Sequence, residues 1–352
     1  MMKSKQVFLT RQHAYIFIDD VAVVRFIKNN SLFGIKKSVL IYRTTMVLKK
    51  RVIFYVRHLL FITFYCLSAV SARAQSNNLF KKNAARETMS QRWELDSASR
   101  KGTFIVTPYK PVYVTAGRWS SSPNVQPHSE NPAYSLPFKV GYNNYEAKFQ
   151  LSLKTKVLQN IFKTGGDLWV GYTQKAHWQV YNAELSRPFR ELNYEPEIIL
   201  NFATHVHLFG FTVRMLGVSL THQSNGRTLP LSRSWNRVIF QAGLDRKNWQ
   251  IYLRPWVRLH DEDDENPAIT DYIGRSEAVV IYNAGRQQFS VIGTHTLRFD
   301  ERNRGSIQAN WVFPVIGNLR LQLQVSDGYG ETLIDYNHSQ FTVGISVSLV
   351  EW

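Results

Sequence analysis

Strict alternation of apolar and polar side chains constrains the fold of this chain more than any other feature. In residues 147–154, four apolar side chains alternate with lysine, glutamine and serine. Residues 249–258, 319–325 and 341–349 follow the same rule, and their polar positions carry arginine, glutamine, threonine and serine. Successive side chains of a β-strand point to opposite faces, so each segment predicts a strand with one apolar and one polar face.

Alternation also occurs in soluble β-sandwiches, but several features favour a membrane-spanning barrel. The alternating segments are about 9–11 residues long, which is the length that a tilted strand needs to cross a bilayer. Arginine, lysine and glutamine on the polar face suit a polar barrel interior. The only cysteine is Cys66, so the chain after residue 74 has neither a disulfide nor a thiolate site. The chain ends at Trp352, an aromatic terminus as outer-membrane barrels commonly have.

The sequence predicts twelve strands, an even number, as in single-chain bacterial barrels. With both ends of the barrel in the periplasm, the longer loops share the outer side and the short turns share the periplasmic side. The expected fold is therefore an all-β, twelve-stranded antiparallel transmembrane β-barrel over residues 102–352. The predicted strands are 104–114, 144–155, 167–178, 193–204, 211–222, 234–244, 248–258, 273–283, 286–298, 304–313, 318–327 and 340–350.

Residues 46–74 predict a signal peptide that is cleaved after Ala74. Three basic residues, Lys49 to Arg51, precede an apolar stretch that leads to the small residues of Ala72-Arg73-Ala74. A membrane anchor is the alternative, but the uncharged stretch after Arg57 is only about 15 residues, short of the roughly 20 that a spanning helix requires.

Two further segments receive assignments. Residues 1–45 are interpreted as an artefactual N-terminal extension, with Met46 as the true start. Residues 75–101 are polar, and we expect a loosely ordered periplasmic lead-in or a plug.

The net charge of +17 suggests an anionic partner until it is divided along the chain. Residues 1–74 hold 13 Lys/Arg and 2 Asp/Glu, which is +11 of that charge. The remaining residues mix both signs, and no cluster of basic residues is interleaved with stacking aromatics. The sequence therefore predicts no nucleic-acid partner.

Three residues with hydrolase chemistry share the apolar face of one predicted hairpin. His222 and Ser224 have the parity of Leu220, and Asn236 has the parity of Phe240, so all three are expected to face lipid near the outer edge. A serine becomes a nucleophile when an imidazole takes its proton, and an amide oxygen is able to orient that imidazole. A polar girdle at the strand ends is the alternative that spacing alone leaves open.

A longer match points to catalysis. Residues 222–236, HQSNGRTLPLSRSWN, closely resemble the active-site stretch of the outer-membrane phospholipase A family. The resemblance covers nearly all of the chain after the signal peptide. The other matching segments are Tyr172–Lys175, Pro188–Pro196, Pro255–Trp256 and Gly328–Asn337.

The resemblance implies a calcium-dependent phospholipase A1/A2, a carboxylic ester hydrolase that cleaves acyl esters of glycerophospholipids and lysophospholipids. It implies a multi-pass protein of the bacterial outer membrane whose active site is at the outer-leaflet side. Ser224 would be the nucleophile, His222 the general base and Asn236 its orienter.

The same resemblance implies activation by dimerisation, with calcium bound between the subunits of a homodimer. The matching calcium ligands are the backbone carbonyl of Arg227, the hydroxyl of Ser232, and Ser186 of the partner subunit. Gln174 matches a residue at the family's dimer interface; an inward-facing position is the alternative. The family often has Asp where this chain has Leu229, which puts a second calcium site in doubt.

A non-catalytic outer-membrane barrel, either a porin or an adhesin scaffold, is the competing hypothesis. It would keep the alternation and the terminal aromatic. It offers no reason for a histidine, a serine and an asparagine to meet on the lipid side.

Overall fold

The computed structural model describes residues 7–10, 13–18, 21–25, 87–161, 163, 165–316 and 319–352. The chain divides into two compact units, residues 1–76 and 77–352. In the first unit, β1 (Val7–Thr10), β2 (His13–Ile18) and β3 (Val21–Arg25) form an antiparallel sheet in that order. The signal peptide predicted over 46–74 lies outside the described residues, and it stays a prediction, as does the assignment of residues 1–45.

The second unit contains the predicted closed, twelve-stranded antiparallel barrel. Each barrel strand pairs with the next along the chain, and the last strand pairs with the first to close the sheet. The elements are α1 (Met89–Trp93), β4 (Val106–Pro108), β5 (Val112–Ser120), β6 (Tyr145–Ile161), β7 (Gly166–Trp178), β8 (Glu191–Leu208), β9 (Phe211–Ser224), β10 (Ser234–Arg246), β11 (Trp249–Arg258), α2 (Ile269–Tyr272), β12 (Ser276–Ala284), β13 (Gln287–His295), β14 (Gly305–Pro314), β15 (Arg320–Tyr329) and β16 (Ser339–Val350).

The first barrel strand departs from the prediction of one strand over 104–114. It is divided into β4 and β5, both of which pair with β6, and β5 continues to Ser120. Pro108 and Pro111 flank the interruption, and neither supplies the backbone N–H that a continuous ladder needs. The other eleven strands lie where the alternation predicts them, with ends that differ by at most six residues, the largest difference being at the end of β6.

The barrel is polar inside and apolar outside. On β6, the side chains of Lys148, Gln150, Ser152 and Lys154 are buried, whereas the apolar residues between them face outward. This distribution is the reverse of that in a soluble protein and suits a barrel surrounded by lipid. The outward apolar side chains of the strands include Leu151, Ile198, Leu220, Phe240, Leu253, Val291, Ile307, Leu323 and Ile345.

The two ends of the barrel differ. Two-residue turns join β8 to β9, β10 to β11 and β12 to β13 at one end, which we call the short-turn end. Longer connections, such as residues 121–144 and 259–275, lie at the opposite, long-loop end. Among the described residues, no helix has both the length and the apolar composition needed to cross a membrane.

Helix α1 packs within the short-turn end through the buried side chains of Met89, Arg92 and Trp93, while the assignment of residues 75–101 as a lead-in or plug stays a prediction. Thr88 and Gln91 form a reciprocal capping box that starts the helix. The buried ring of Trp93 meets Trp169 edge to face, with ring centroids 5.8 Å apart, and Lys154 Nζ lies 4.6 Å from the Trp93 centroid. Edge-to-face aromatic packing and a cation–π contact therefore fill the interior at this end.

An ionic network holds the loop between β15 and β16 at the long-loop end. Lys148 Nζ lies 2.7 Å from Glu331, and Arg190 Nη1 lies 2.9 Å from Asp335. Burial alone would raise the pKa of Glu331, but the nearby charges of Lys148 and Arg118 outweigh it and hold the pKa well below its usual range. Glu331 is therefore ionised at neutral pH and anchors this loop to the barrel wall.

We expect Trp93→Ala to destabilise the barrel by about 3–5 kcal/mol, because it leaves a cavity between α1 and Trp169. Reversible urea unfolding in lipid vesicles measures this change. Phe299→Ala is the control, since Phe299 is 93% exposed and its truncation should cost less than about 0.5 kcal/mol. Equal stability of the two variants would show that α1 contributes little to the barrel.

Candidate active site

The hairpin of β9 and β10 brings the three predicted catalytic residues together. His222 lies directly opposite Asn236, and Ser224 lies opposite Ser234. The neighbours Thr221, Arg237 and Asn225 are buried inside the barrel, so the alternating residues 222, 224 and 236 project from the outer surface. The cross-strand register therefore places these side chains on one outward patch, as the parity predicts.

His222 and Asn236 are hydrogen-bonded side chain to side chain. His222 Nδ1 lies 2.8 Å from Asn236 Oδ1. An amide oxygen only accepts hydrogen bonds, so Nδ1 donates in this contact, and in the neutral imidazole Nε2 keeps its lone pair. Ser224 is two residues along the same strand face, and in the part of the chain that the structure describes its hydroxyl has no hydrogen-bond partner. Such contacts are often loose before a substrate binds.

The inner face of the same hairpin anchors the outward residues. Gln223 points inward between His222 and Ser224, and its Oε1 accepts from Trp235 Nε1 at 2.8 Å and from Arg237 Nη2 at 3.2 Å. Trp235 also packs edge to face against Trp256, with centroids 6.1 Å apart. These contacts fix the ends of β9 and β10, and with them the positions of the outward side chains.

A tight loop follows the serine. Gly226 has a φ of +62°, a backbone conformation that favours glycine, and a Cβ there would lie 3.3 Å from Tyr194. Both the backbone angle and the space explain why this position of the HQSNGR segment is glycine.

The predicted calcium ligands of one subunit lie along this loop. Ser232 Oγ donates a hydrogen bond of 2.6 Å to Glu265 Oε1, which belongs to the acidic run of residues 261–265. The carbonyl oxygen of Arg227 accepts no hydrogen bond from the described residues. Hydroxyl, carbonyl and carboxylate oxygens are the donors that calcium prefers, so these groups fit such an ion.

The third predicted ligand, Ser186, lies in a different connection, and among the described residues it makes no hydrogen bond to residues 225–233. Ser186 is half-buried between β7 and β8, and its carbonyl accepts from Trp178 Nε1 at 2.7 Å. Across the described residues there is no group of three or more His, Cys, Asp or Glu side chains arranged for a metal. The proposed ligands are of a different kind, mostly neutral oxygens.

Gln174 lies on the outer surface of β7, as its parity predicts, and the inward alternative does not hold. Its neighbour Thr173 is buried in the barrel, whereas Gln174 Oε1 accepts from the outward Tyr172 hydroxyl at 3.1 Å. The amide nitrogen of Gln174 has no partner among the described residues, which leaves a donor on an apolar wall.

Two buried residues beneath the loop were missed from the sequence. Glu191 starts β8, Asn225 follows Ser224, and the two side chains are hydrogen-bonded. Both lie in segments that carry the family resemblance. Their position in those segments was the sequence signal that could have identified them, because the spacing of neither residue indicates a function.

Comparison with known proteins gives one consistent result. The family model described as Phospholipase A1 matches residues 89–349. Phospholipase A1 of Klebsiella pneumoniae is 33% identical over 293 residues, which is 82% of this chain and 98% of that protein. Phospholipase A1 of Escherichia coli K12 is 40% identical over 204 residues, which is 58% of this chain and 69% of that protein.

Solved structures agree with these matches. Outer membrane phospholipase A from Escherichia coli superposes with a TM-score of 0.63 at 34% identity, over 72% of this chain and 94% of that one. The calcium-bound dimer of the Salmonella typhi outer membrane phospholipase gives a TM-score of 0.66 at 34% identity, over 76% and 99% of the two chains.

The bond between His222 and Asn236 predicts the Nδ1–H tautomer for His222. Nitrogen-15 chemical shifts of histidine-labelled protein, assigned with a His222→Gln variant, should show it, and Asn236→Ala should give a mixture of tautomers. His338 is an internal control, because its Nε2 donates to the Ser122 carbonyl at 2.7 Å and so requires the opposite tautomer. An Nε2–H signal for His222 in the wild-type protein would contradict the assignment.

Proposed function

The chain belongs to the phospholipase A1 family, and on that premise we propose that it hydrolyses acyl ester bonds of glycerophospholipids and lysophospholipids in the bacterial outer membrane. The observation that carries the proposal is the 2.8 Å bond between His222 and Asn236 on the outer barrel wall, with Ser224 on the same face. A membrane lipid reaches that wall directly.

In the proposed mechanism, His222 Nε2 takes the proton of the Ser224 hydroxyl as the oxygen attacks the ester carbonyl carbon. His222 then gives that proton to the alcohol oxygen of the lysolipid as the ester C–O bond breaks, which leaves an acyl group on Ser224. A water molecule, deprotonated by His222, releases the fatty acid and restores the serine. Asn236 holds the imidazole in the required tautomer throughout.

The surroundings of these residues suit a lipid lying in the bilayer. Leu220 and Phe240 belong to the same strand faces and are about half exposed, at 53% and 52%. They offer an apolar surface to an acyl chain, while the polar loops above His222 and Ser224 meet the headgroup. We place this end of the barrel at the outer leaflet, because longer loops of such barrels are extracellular.

Calcium is the proposed cofactor, held by the Arg227 carbonyl, Ser232 and Ser186 of the partner subunit. When bound, the ion would supply positive charge to the ester oxygen as negative charge develops there. The carboxylate of Glu265, already bonded to Ser232, adds the negative charge that a site of neutral oxygens lacks.

Dimerisation is the proposed switch. A closed barrel offers a second copy only its outer wall, and apolar packing gives little drive to associate in lipid. The outward amide of Gln174 supplies a directional contact, and a hydrogen bond there is worth roughly 0.6–2 kcal/mol. That energy is too small to hold a dimer alone, so we propose that calcium shared between subunits completes it.

Ser224→Ala and His222→Ala should each lower fatty-acid release from phospholipid in detergent micelles by roughly 10⁴-fold or more. Asn236→Ala should cost less, roughly 10–100-fold, because the nucleophile and base remain. A calcium chelator should abolish wild-type activity, and added calcium should restore it.

Ser234→Ala is the matched control for these variants, since Ser234 lies opposite Ser224 on the outer face without a proposed role. It should keep nearly full activity. A folded Ser224→Ala variant that hydrolyses phospholipid like the wild type would refute the nucleophile assignment.

Gln174→Ala should weaken calcium-dependent dimerisation and lower activity, while barrel stability stays nearly unchanged. Analytical ultracentrifugation in detergent across a calcium titration measures the first effect, and urea unfolding measures the last. A wild-type protein that is fully active as a monomer would show that dimerisation is not the switch.

A further inference from the structure

A carboxylate is buried directly beneath the loop that joins β9 to β10. Glu191 is 1% exposed and lies inside the barrel wall at the start of β8. Its Oε1 accepts from Asn193 Nδ2 at 2.8 Å and from Asn225 Nδ2 at 3.1 Å. The guanidinium of Arg227 is farther away, at 3.9 Å. A buried carboxylate is costly unless hydrogen bonds compensate it, so two amide donors on one oxygen indicate a specific contact.

The Asn225 side chain that contacts Glu191 also forms hydrogen bonds along the whole loop. Its Nδ2 also donates to the Leu231 carbonyl at 2.8 Å, and its Oδ1 accepts from the backbone nitrogens of Arg227 at 3.3 Å and Arg233 at 3.0 Å. The backbone N–H of Asn225 donates to the Arg233 carbonyl at 3.0 Å. One buried side chain thus ties the beginning, middle and end of residues 225–233 together.

The residues that this side chain holds adjoin the proposed chemistry. Asn225 follows Ser224 directly, Arg227 carries one proposed calcium ligand, and Ser232 lies between the bonded residues Leu231 and Arg233. A shift of the Asn225 amide would therefore move the nucleophile's backbone and both ligands of this subunit at once.

The support continues into a second loop. Asn193 Oδ1 accepts from the backbone N–H of Leu333 at 3.1 Å, in the loop that Glu331 and Asp335 anchor to the barrel wall. Glu191 therefore lies where the segments 188–196 and 328–337 meet. Both segments resemble the family, although neither contains a proposed catalytic residue.

We propose that Glu191 and Asn225 are positioning residues, whose hydrogen bond inside the barrel holds residues 225–233 in the arrangement that the outward nucleophile and the calcium ligands require. This inference rests on the proposed function. Neither side chain touches the substrate, because both are buried on the inner side of the wall.

Asn225→Ala and Glu191→Ala should each lower kcat by roughly 10–100-fold and raise the calcium concentration needed for half-maximal activity, as loss of supporting contacts does at metal sites. KM for micellar phospholipid should change by less than about twofold, since uniform substrate binding is untouched. Heat-modified gel mobility and tryptophan fluorescence verify that each variant has folded.

Asn310→Ala is the matched control. Asn310 is also a buried interior asparagine, and its Oδ1 accepts from the amides of Gln322 and Gln324 at 3.0 Å each, away from the loop. It should leave kcat and the calcium requirement unchanged. An equal loss in Asn310→Ala would indicate general damage to the interior and overturn the inference.

Substitutions that alter or exchange the carboxylate and the amide at positions 191 and 225 distinguish a specific positioning role from general packing. Asn225→Asp places a carboxylate against Glu191 and should be among the least active variants. Glu191→Gln keeps an acceptor for both amides and should retain more activity than Glu191→Ala. In the double variant E191Q/N225D, the new amide donates to the new carboxylate, so activity and calcium sensitivity should recover above those of Asn225→Asp alone.

The outcomes distinguish the two levels of the proposal. A folded wild-type protein without calcium-dependent hydrolysis defeats the proposed function itself. An active wild type beside Asn225→Ala and Glu191→Ala variants of equal kcat and calcium requirement defeats only the positioning role. If either alanine variant does not fold, failure of E191Q/N225D to exceed a folded Asn225→Asp variant defeats the positioning role in the same way.

Discussion

Closure of the sheet is the constraint on which the rest of the molecule depends. A bilayer core offers no partners to backbone N–H and C=O groups, so a strand survives there only if both of its edges are paired. The ladder between β16 and β5 removes the last free edge. Once the ring is closed, its outer face must be apolar, and polar side chains are confined to the interior or to the ends. The alternation of apolar and polar residues in the sequence follows from that requirement.

A polar interior creates a second requirement, because charges taken out of water must be paired. Lys156 lies 2.9 Å from Glu94 and 2.7 Å from Asp167, and Arg254 Nη2 lies 2.8 Å from Glu197. Helix α1 takes part through Arg92, whose guanidinium donates to the carbonyls of Tyr109 and Glu351. The interior is thus a cross-linked polar core, which braces the wall that carries the outward residues.

The sequence predicts the features governed by local rules and misses those governed by packing. Period-two alternation located the barrel strands and the outward positions of His222, Ser224 and Asn236, because parity depends only on the pleat. It could not divide the first strand into β4 and β5, since that break depends on how two prolines meet β6. It also could not identify Glu191 as a partner of Asn225, because 33 residues lie between them, including β9 and nearly all of β8. The roles of the site residues stay predictions.

The pleat of the strand also explains how the outward side chains of the site face lipid while the side chains that anchor them face the barrel interior. On β9 and the residue after it, positions 222 and 224 face outward while 223 and 225 face inward, so each outward side chain has an inward neighbour on the same backbone. Gln223 and Asn225 find polar partners inside the barrel that the bilayer could not supply. On the positioning role proposed above, loss of an inward hydrogen bond would displace the outward side chains through the strand, although the two sets of side chains lie on opposite faces. In a soluble enzyme, supporting contacts usually surround the reacting groups. Here the wall itself separates them, and the strand backbone is the connection between them.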